Sequence, residues 1–151
     1  MGNKKYRAGH QEEIARYQRD YYLSHKVESE KYKRTYLGSP KGRLTLLVAT
    51  ARRRAQKKGL PFDLTVGWAL EQYSLQAGRC KVTGLLFDLS CNRGRGAYKI
   101  NPRSPSLDRV DSGKGYTRDN VELVCSHINI AFNMFGRQSF NELAKAYLEY
   151  Q

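Results

Sequence analysis

Residues 104–129 read SPSLDRVDSGKGYTRDNVELVCSHIN, and the way this stretch folds decides the architecture of the chain. Ser106-Leu107-Asp108-Arg109-Val110 has the make-up of a short strand, and Val121-Glu122-Leu123-Val124 reads as the strand that returns beside it. Between them, Asp111 to Asp119 is rich in Gly, Ser and Asp, the composition of a turn-rich loop. From about Cys125 a helix is expected to Phe135, with Gly136 as its stop. Strand, loop, strand and helix in that order predict an α+β fold.

Working outward, residues 92–105 hold Gly, Arg, Asn and Pro and read as a basic loop. Before it, Cys80-Lys-Val-Thr-Gly84 forms a tight turn leading into Leu85-Leu86-Phe87. A helix starts after Thr65 and ends near Gly78. It buries Val66, Ala69, Leu70 and Tyr73, with Trp68 in its core or at its edge. Leu44, Leu47, Val48, Ala51 and Ala55 fall at helical spacing as one apolar stripe, stopped by Gly59 and Pro61. Residues 10–37 form a weakly amphipathic helix broken by Gly38-Ser39-Pro40. At the other end, Ser139 and Glu142 have capping-box spacing, which predicts a last helix opening there and packing through Leu143, Ala146 and Tyr147.

Charge divides the chain unevenly. Residues 1–60 hold 16 Lys and Arg against 5 Asp and Glu, whereas residues 61–151 hold 11 against 9. Almost all of the net +13 therefore lies in the first part, as expected of a basic helical arm (1–60) that grips a polyanion, joined to a near-neutral core (61–151). Lys41, Arg43, Arg52, Arg53, Arg54, Lys57 and Lys58 are the candidate phosphate contacts of the arm, and Arg93, Arg95, Lys99 and Arg103 those of the basic loop. Apolar runs are a few residues long, too short to span a bilayer, and no secretory signal is read at the N-terminus, so a cytoplasmic protein without membrane partners is expected. Three widely spaced cysteines, Cys80, Cys91 and Cys125, do not make a disulfide framework.

Asp108 lies on the first strand, Asn120 opens the second, and Asn129 and Asn133 lie one turn apart on one helix face. A carboxylate with carboxamide oxygens makes a hard, partly open site suited to Mg²⁺ or Mn²⁺. Such spacing by itself is common in structures with no metal at all.

The same residues resemble the HNH endonuclease family, in particular phage-type and restriction-type members with an "LDRxD…KGYTxDN…LVC…N" pattern, over about a quarter of the chain. The resemblance implies a ββα-metal finger at about 104–136, within an HNH-like nuclease core carrying the basic N-terminal region and a C-terminal helix. It implies that Asp108 and Asn129 bind the ion, that Asn133 is a further ligand or a phosphate contact, and that Asn120 braces the loop. Where most members place a general-base histidine, this chain has Arg109, which stays protonated and cannot take a proton from water. Arg109 then clamps phosphate, and the proton passes to Tyr98 or to a hydroxide on the ion. His127, two positions before Asn129, points away from the metal face. Members that frame the finger with two Cys-x-x-Cys pairs bind structural zinc. Here the pairs are reduced to Cys80-x-x-Thr83 and Cys125-x-x-Ile128, so structural Zn²⁺ is not expected.

The expectation is therefore a divalent-metal-dependent endonuclease that nicks or cuts double-stranded DNA, acting in the host-cell cytoplasm if phage-encoded. Cutting both strands of a symmetric site would call for a homodimer. The alternative is a catalytically inactive DNA-binding protein that keeps the HNH fold, which the missing histidine favours and the retained oxygen ligands oppose.

Overall fold

The computed structural model describes Tyr6, residues 9–90 and residues 101–151. Two compact units divide the chain, Met1–Thr35 and Tyr36–Gln151. The first is built on a long helix, α1 (Gln11–Leu37), whose tyrosines stack along it, Tyr17 on Tyr21 and Tyr21 on His25. No helix among the described residues is long and apolar enough to cross a membrane.

The second unit runs α2 (Pro40–Lys58), α3 (Val66–Leu75), β1 (Pro105–Arg109), β2 (Val121–Cys125), α4 (Ser126–Phe135) and α5 (Arg137–Tyr150). This mixed helix and two-stranded antiparallel arrangement is α+β. The division at 35/36 differs from the charge boundary at 60/61 because α2 is cationic on one side and structural on the other. Its Leu44, Val48, Ala51 and Ala55 are buried with Leu64, Trp68, Ala69, Phe87, Leu107 and Val124 in one core. Each fully buried leucine there contributes about 1.5–3 kcal/mol.

Both ends of α2 are fixed locally. Ser39 accepts from the Gly42 amide at 3.1 Å, and at the far end the Gly59 and Leu60 amides return to Gln56 and Ala55 carbonyls. Thr65 caps α3 in the same way, accepting from Trp68 N at 3.1 Å.

The loop between β1 and β2 is stitched to the segment before α3. Tyr116 N donates to Pro61 O at 2.9 Å, and Asp63 N donates to Tyr116 O at 3.2 Å. Gly115 permits this approach, since a Cβ there would lie 2.3 Å from Pro61 O.

The last helix departs from its sequence reading. It opens at Arg137 directly after Gly136, whose φ of +77° turns the chain, and no side chain caps it. Ser139 is already inside the helix, so no capping box forms, and Glu142 instead accepts from Gln138 Nε2 at 3.0 Å. Leu143 and Tyr147 are 62% and 65% exposed and Ala146 is exposed, so the amphipathic pattern marks a face without a covering element among the described residues.

Candidate functional site

The antiparallel register sets Asp108 directly opposite Glu122. Asp108 is 4% exposed. Its Oδ2 accepts from Arg137 Nη2 at 2.9 Å, and the same Nη2 donates to Glu122 Oε2 at 2.7 Å. Burial pushes the Asp108 carboxyl above its ordinary pKa. Arg137 opposes that shift and the like charge of Glu122 adds to it.

Asn129, on the first turn of α4, is pinned to β1. Its Nδ2 donates to Ser106 Oγ at 2.8 Å and to Leu107 O at 3.0 Å, which leaves Oδ1 as the acceptor end of the amide. Asn133 Nδ2 donates to that Oδ1 and, at 2.7 Å, to Asn129 O. The carboxamides expected to act together are therefore in contact, with Asn129 anchored and Asn133 exposed.

Asn120 is buried and spans the loop. Its Oδ1 accepts from Asp111 N at 3.0 Å, while Nδ2 donates to Asp111 O at 3.0 Å and Gly115 O at 2.9 Å. Arg109 donates to Lys114 O at 2.7 Å and lies 5.0 Å over the Tyr116 ring, so much of its guanidinium is engaged within the loop. His127 is exposed.

Of the expected phosphate contacts, Lys41, Arg52, Arg53, Arg54, Lys57, Lys58 and Arg103 are exposed. Arg43 differs: half-buried, it donates to Leu89 O at 3.3 Å, and its buried Nε has no hydrogen-bond partner among the described residues. Tyr98, Arg93, Arg95 and Lys99 lie outside the described residues.

Cys80 and Cys125 are buried free thiols, with the Cys125 amide donating to Cys80 Sγ at 3.2 Å. Burial pushes the Cys125 thiol up to about 11, with the charge of Cys80 adding to it. For Cys80 burial acts the same way, but hydrogen bonds from the Thr83 side chain and from the backbone of Cys125, Thr83 and Val82 outweigh it and lower the pKa.

Glu122 and Arg137 escaped the sequence reading. Glu122 is found only once the register is known. Arg137 carried no local signal, because a helix start at Ser139 leaves it before the helix; with the start at Gly136 it becomes a cation on the first turn, where the macrodipole opposes it.

Among the described residues no three His, Cys, Asp or Glu side chains group as a metal site. A divalent-cation site here must draw on amide oxygens, and the donor chemistry fits one. Asp108 supplies a buried carboxylate and Asn129 a fixed carboxamide, while the Arg137 guanidinium on Asp108 Oδ2 is a competing cation.

No family model matches the chain, and no curated protein does. Among solved structures, that of the rare-cutting HNH restriction endonuclease PacI is similar, with 24% identity and a TM-score of 0.48, covering 71% of this chain and 78% of that one. A likeness of that size carries none of the residue assignments, which rest on the geometry above.

Proposed function

We propose that this chain is a divalent-metal-dependent DNA endonuclease whose site is built on Asp108 and Asn129. The observation that carries the reading is the buried Asp108 carboxylate on the strand to which the Asn129 amide is pinned. The resemblance of residues 104–129 to the HNH pattern supports the same choice of residues.

Asp108 and the Oδ1 of Asn129 would hold Mg²⁺ or Mn²⁺, with Asn133 as a third donor once its amide turns. When bound, that ion supplies charge neutralisation at the scissile phosphate and at the leaving 3′ oxygen. Asn120 holds the β1–β2 loop in place. Arg109, at the loop's edge, offers its remaining donors to a phosphate oxygen. Tyr98, in its phenolate form, is proposed to accept the proton of the attacking water. The exposed cations of α2, with Arg103 and the 93–99 cations, supply sequence-independent grip on double-stranded DNA.

Incubating the pure protein with supercoiled plasmid and Mg²⁺ or Mn²⁺ tests this reading. Nicked or linear product is expected, with none from Asp108→Ala or Asn129→Ala. Undiminished cleavage by Asp108→Ala would sink the site.

A second reading, a DNA-binding protein without hydrolysis, is favoured by Arg109 standing directly after Asp108. Salt-sensitive binding with no cleavage under any divalent metal would establish it.

A further inference from the structure

Arg137 sits where a cation is poorly placed by local rules. As the first residue of α5, it opposes the helix macrodipole. It follows Gly136, in a positive-φ turn, and rests 4.7 Å over the Phe132 ring. What offsets the macrodipole is the pair of carboxylates that β1 and β2 bring face to face. Of the three charged side chains, that of Arg137 is the most exposed, 34% against 26% for that of Glu122, while that of Asp108 is buried.

We propose that Arg137 is a displaceable counter-ion, which holds Asp108 and Glu122 together in the metal-free chain and leaves Asp108 Oδ2 when a divalent cation binds. The inference rests on the metal-site reading above. A guanidinium within hydrogen-bond distance of a carboxylate and a divalent ion on that carboxylate repel one another strongly. Glu122 gives Arg137 a place to stay: the 2.7 Å pair survives when the 2.9 Å pair breaks, so release from Asp108 does not strand the guanidinium. Glu122 is thereby a positioning residue, and Arg137 sets the affinity of the site by competition.

The test measures Mn²⁺ affinity of the full chain by calorimetry and its Tm in EDTA. Arg137→Gln is expected to bind Mn²⁺ roughly tenfold more tightly, the scale of one charge-assisted hydrogen bond. Its metal-free Tm is expected to fall by about 2–4 °C, the scale for a chain of about 150 residues. Arg137→Lys, a point charge without the planar fork, falls between. Unchanged or weaker Mn²⁺ binding by both variants, with wild type binding normally, overturns the counter-ion and leaves the metal site standing. No Mn²⁺ binding by wild type or Arg137→Gln overturns both. Should Arg137→Gln not fold, the wild-type Arg137 Nε–Hε resonance decides. It is expected to shift with added Mg²⁺ in step with binding, and a resonance that stays put while Mg²⁺ binds overturns the proposal.

Discussion

Asp108 and Glu122 face each other across β1 and β2 and share one guanidinium nitrogen, at 2.9 and 2.7 Å. Two carboxylates with one cation between them leave the more buried member in a costly state. An acid whose folded pKa is raised binds its proton more tightly folded than unfolded, so ionisation at neutral pH subtracts from stability. Asp108→Asn removes that cost. In EDTA at pH 7 its Tm is expected to equal or exceed that of wild type, while plasmid cleavage is lost. A fall of several degrees would mean that the Arg137 pair outweighs burial.

Asn129 and Asn133 lie in contact but differ in anchorage, and that difference separates structure from ligation. Asn129→Ala removes donors to Ser106 and Leu107, leaving Leu107 O without that partner, and is expected to lose about 1–3 kcal/mol as well as cleavage. Asn133→Ala, at an exposed position, is expected to leave stability within about 0.5 kcal/mol. Denaturant titration reads the first quantity and plasmid nicking the second. Loss of nicking in Asn133→Ala at unchanged stability assigns it to the ion or the phosphate.

How much of this was legible beforehand follows from the range of each interaction. The α2 stripe, its Gly59 stop and the two strands depend on neighbours a few residues away, and local patterns report them well. The Asp108–Glu122 pairing and the Arg137 bridge join positions 14 to 29 residues apart through the strand register and the α4–α5 turn, which no local period encodes. The capping-box spacing at Ser139 failed because Gly136 turns the chain three residues earlier. The α5 periodicity showed that an apolar face exists but not that anything covers it. Arg43 looked like its cationic neighbours until its guanidinium was seen turned onto Leu89.

Asn120 makes the loop of the site depend on one amide. Asn120→Ala strands Asp111 N, Asp111 O and Gly115 O at once. A loss of about 2–3 kcal/mol is expected, the upper range for a buried group left unpaired. Asn120→Asp restores the acceptor but not the donors, so it should remain well below wild type in Tm. Recovery by Asp to wild-type stability would show that only the Asp111 amide matters.

The buried thiols predict a fold indifferent to chelation. Cys125 is pushed up to about 11, and Cys80, although its pKa is lowered, is buried, so neither sulfur is open to an alkylating reagent at pH 8. Iodoacetamide labelling read by peptide mass spectrometry is expected to spare Cys80 and Cys125 until the chain unfolds. With no Mg²⁺ or Mn²⁺ added, EDTA is expected to leave Tm unchanged. A chelator-induced fall in Tm with stoichiometric zinc release would overturn the zinc-free reading.

Arg43 and Arg53 belong to the same helix and should behave oppositely. Arg53 is exposed on the outer face of α2, where a phosphate contact costs the fold nothing. Arg53→Ala is expected to reduce the slope of log K against log salt by about 0.9 for duplex DNA of any sequence, with stability within about 0.5 kcal/mol of wild type. Arg43 instead turns its Nη2 onto the Leu89 and Ser90 carbonyls. Arg43→Ala therefore loses about 1–3 kcal/mol of stability while the salt slope stays. Fluorescence anisotropy across a salt series, paired with urea denaturation of the same preparations, separates the two. A salt slope that falls equally in both variants would return Arg43 to the DNA-contacting set and leave its carbonyl bonds a feature of the DNA-free chain.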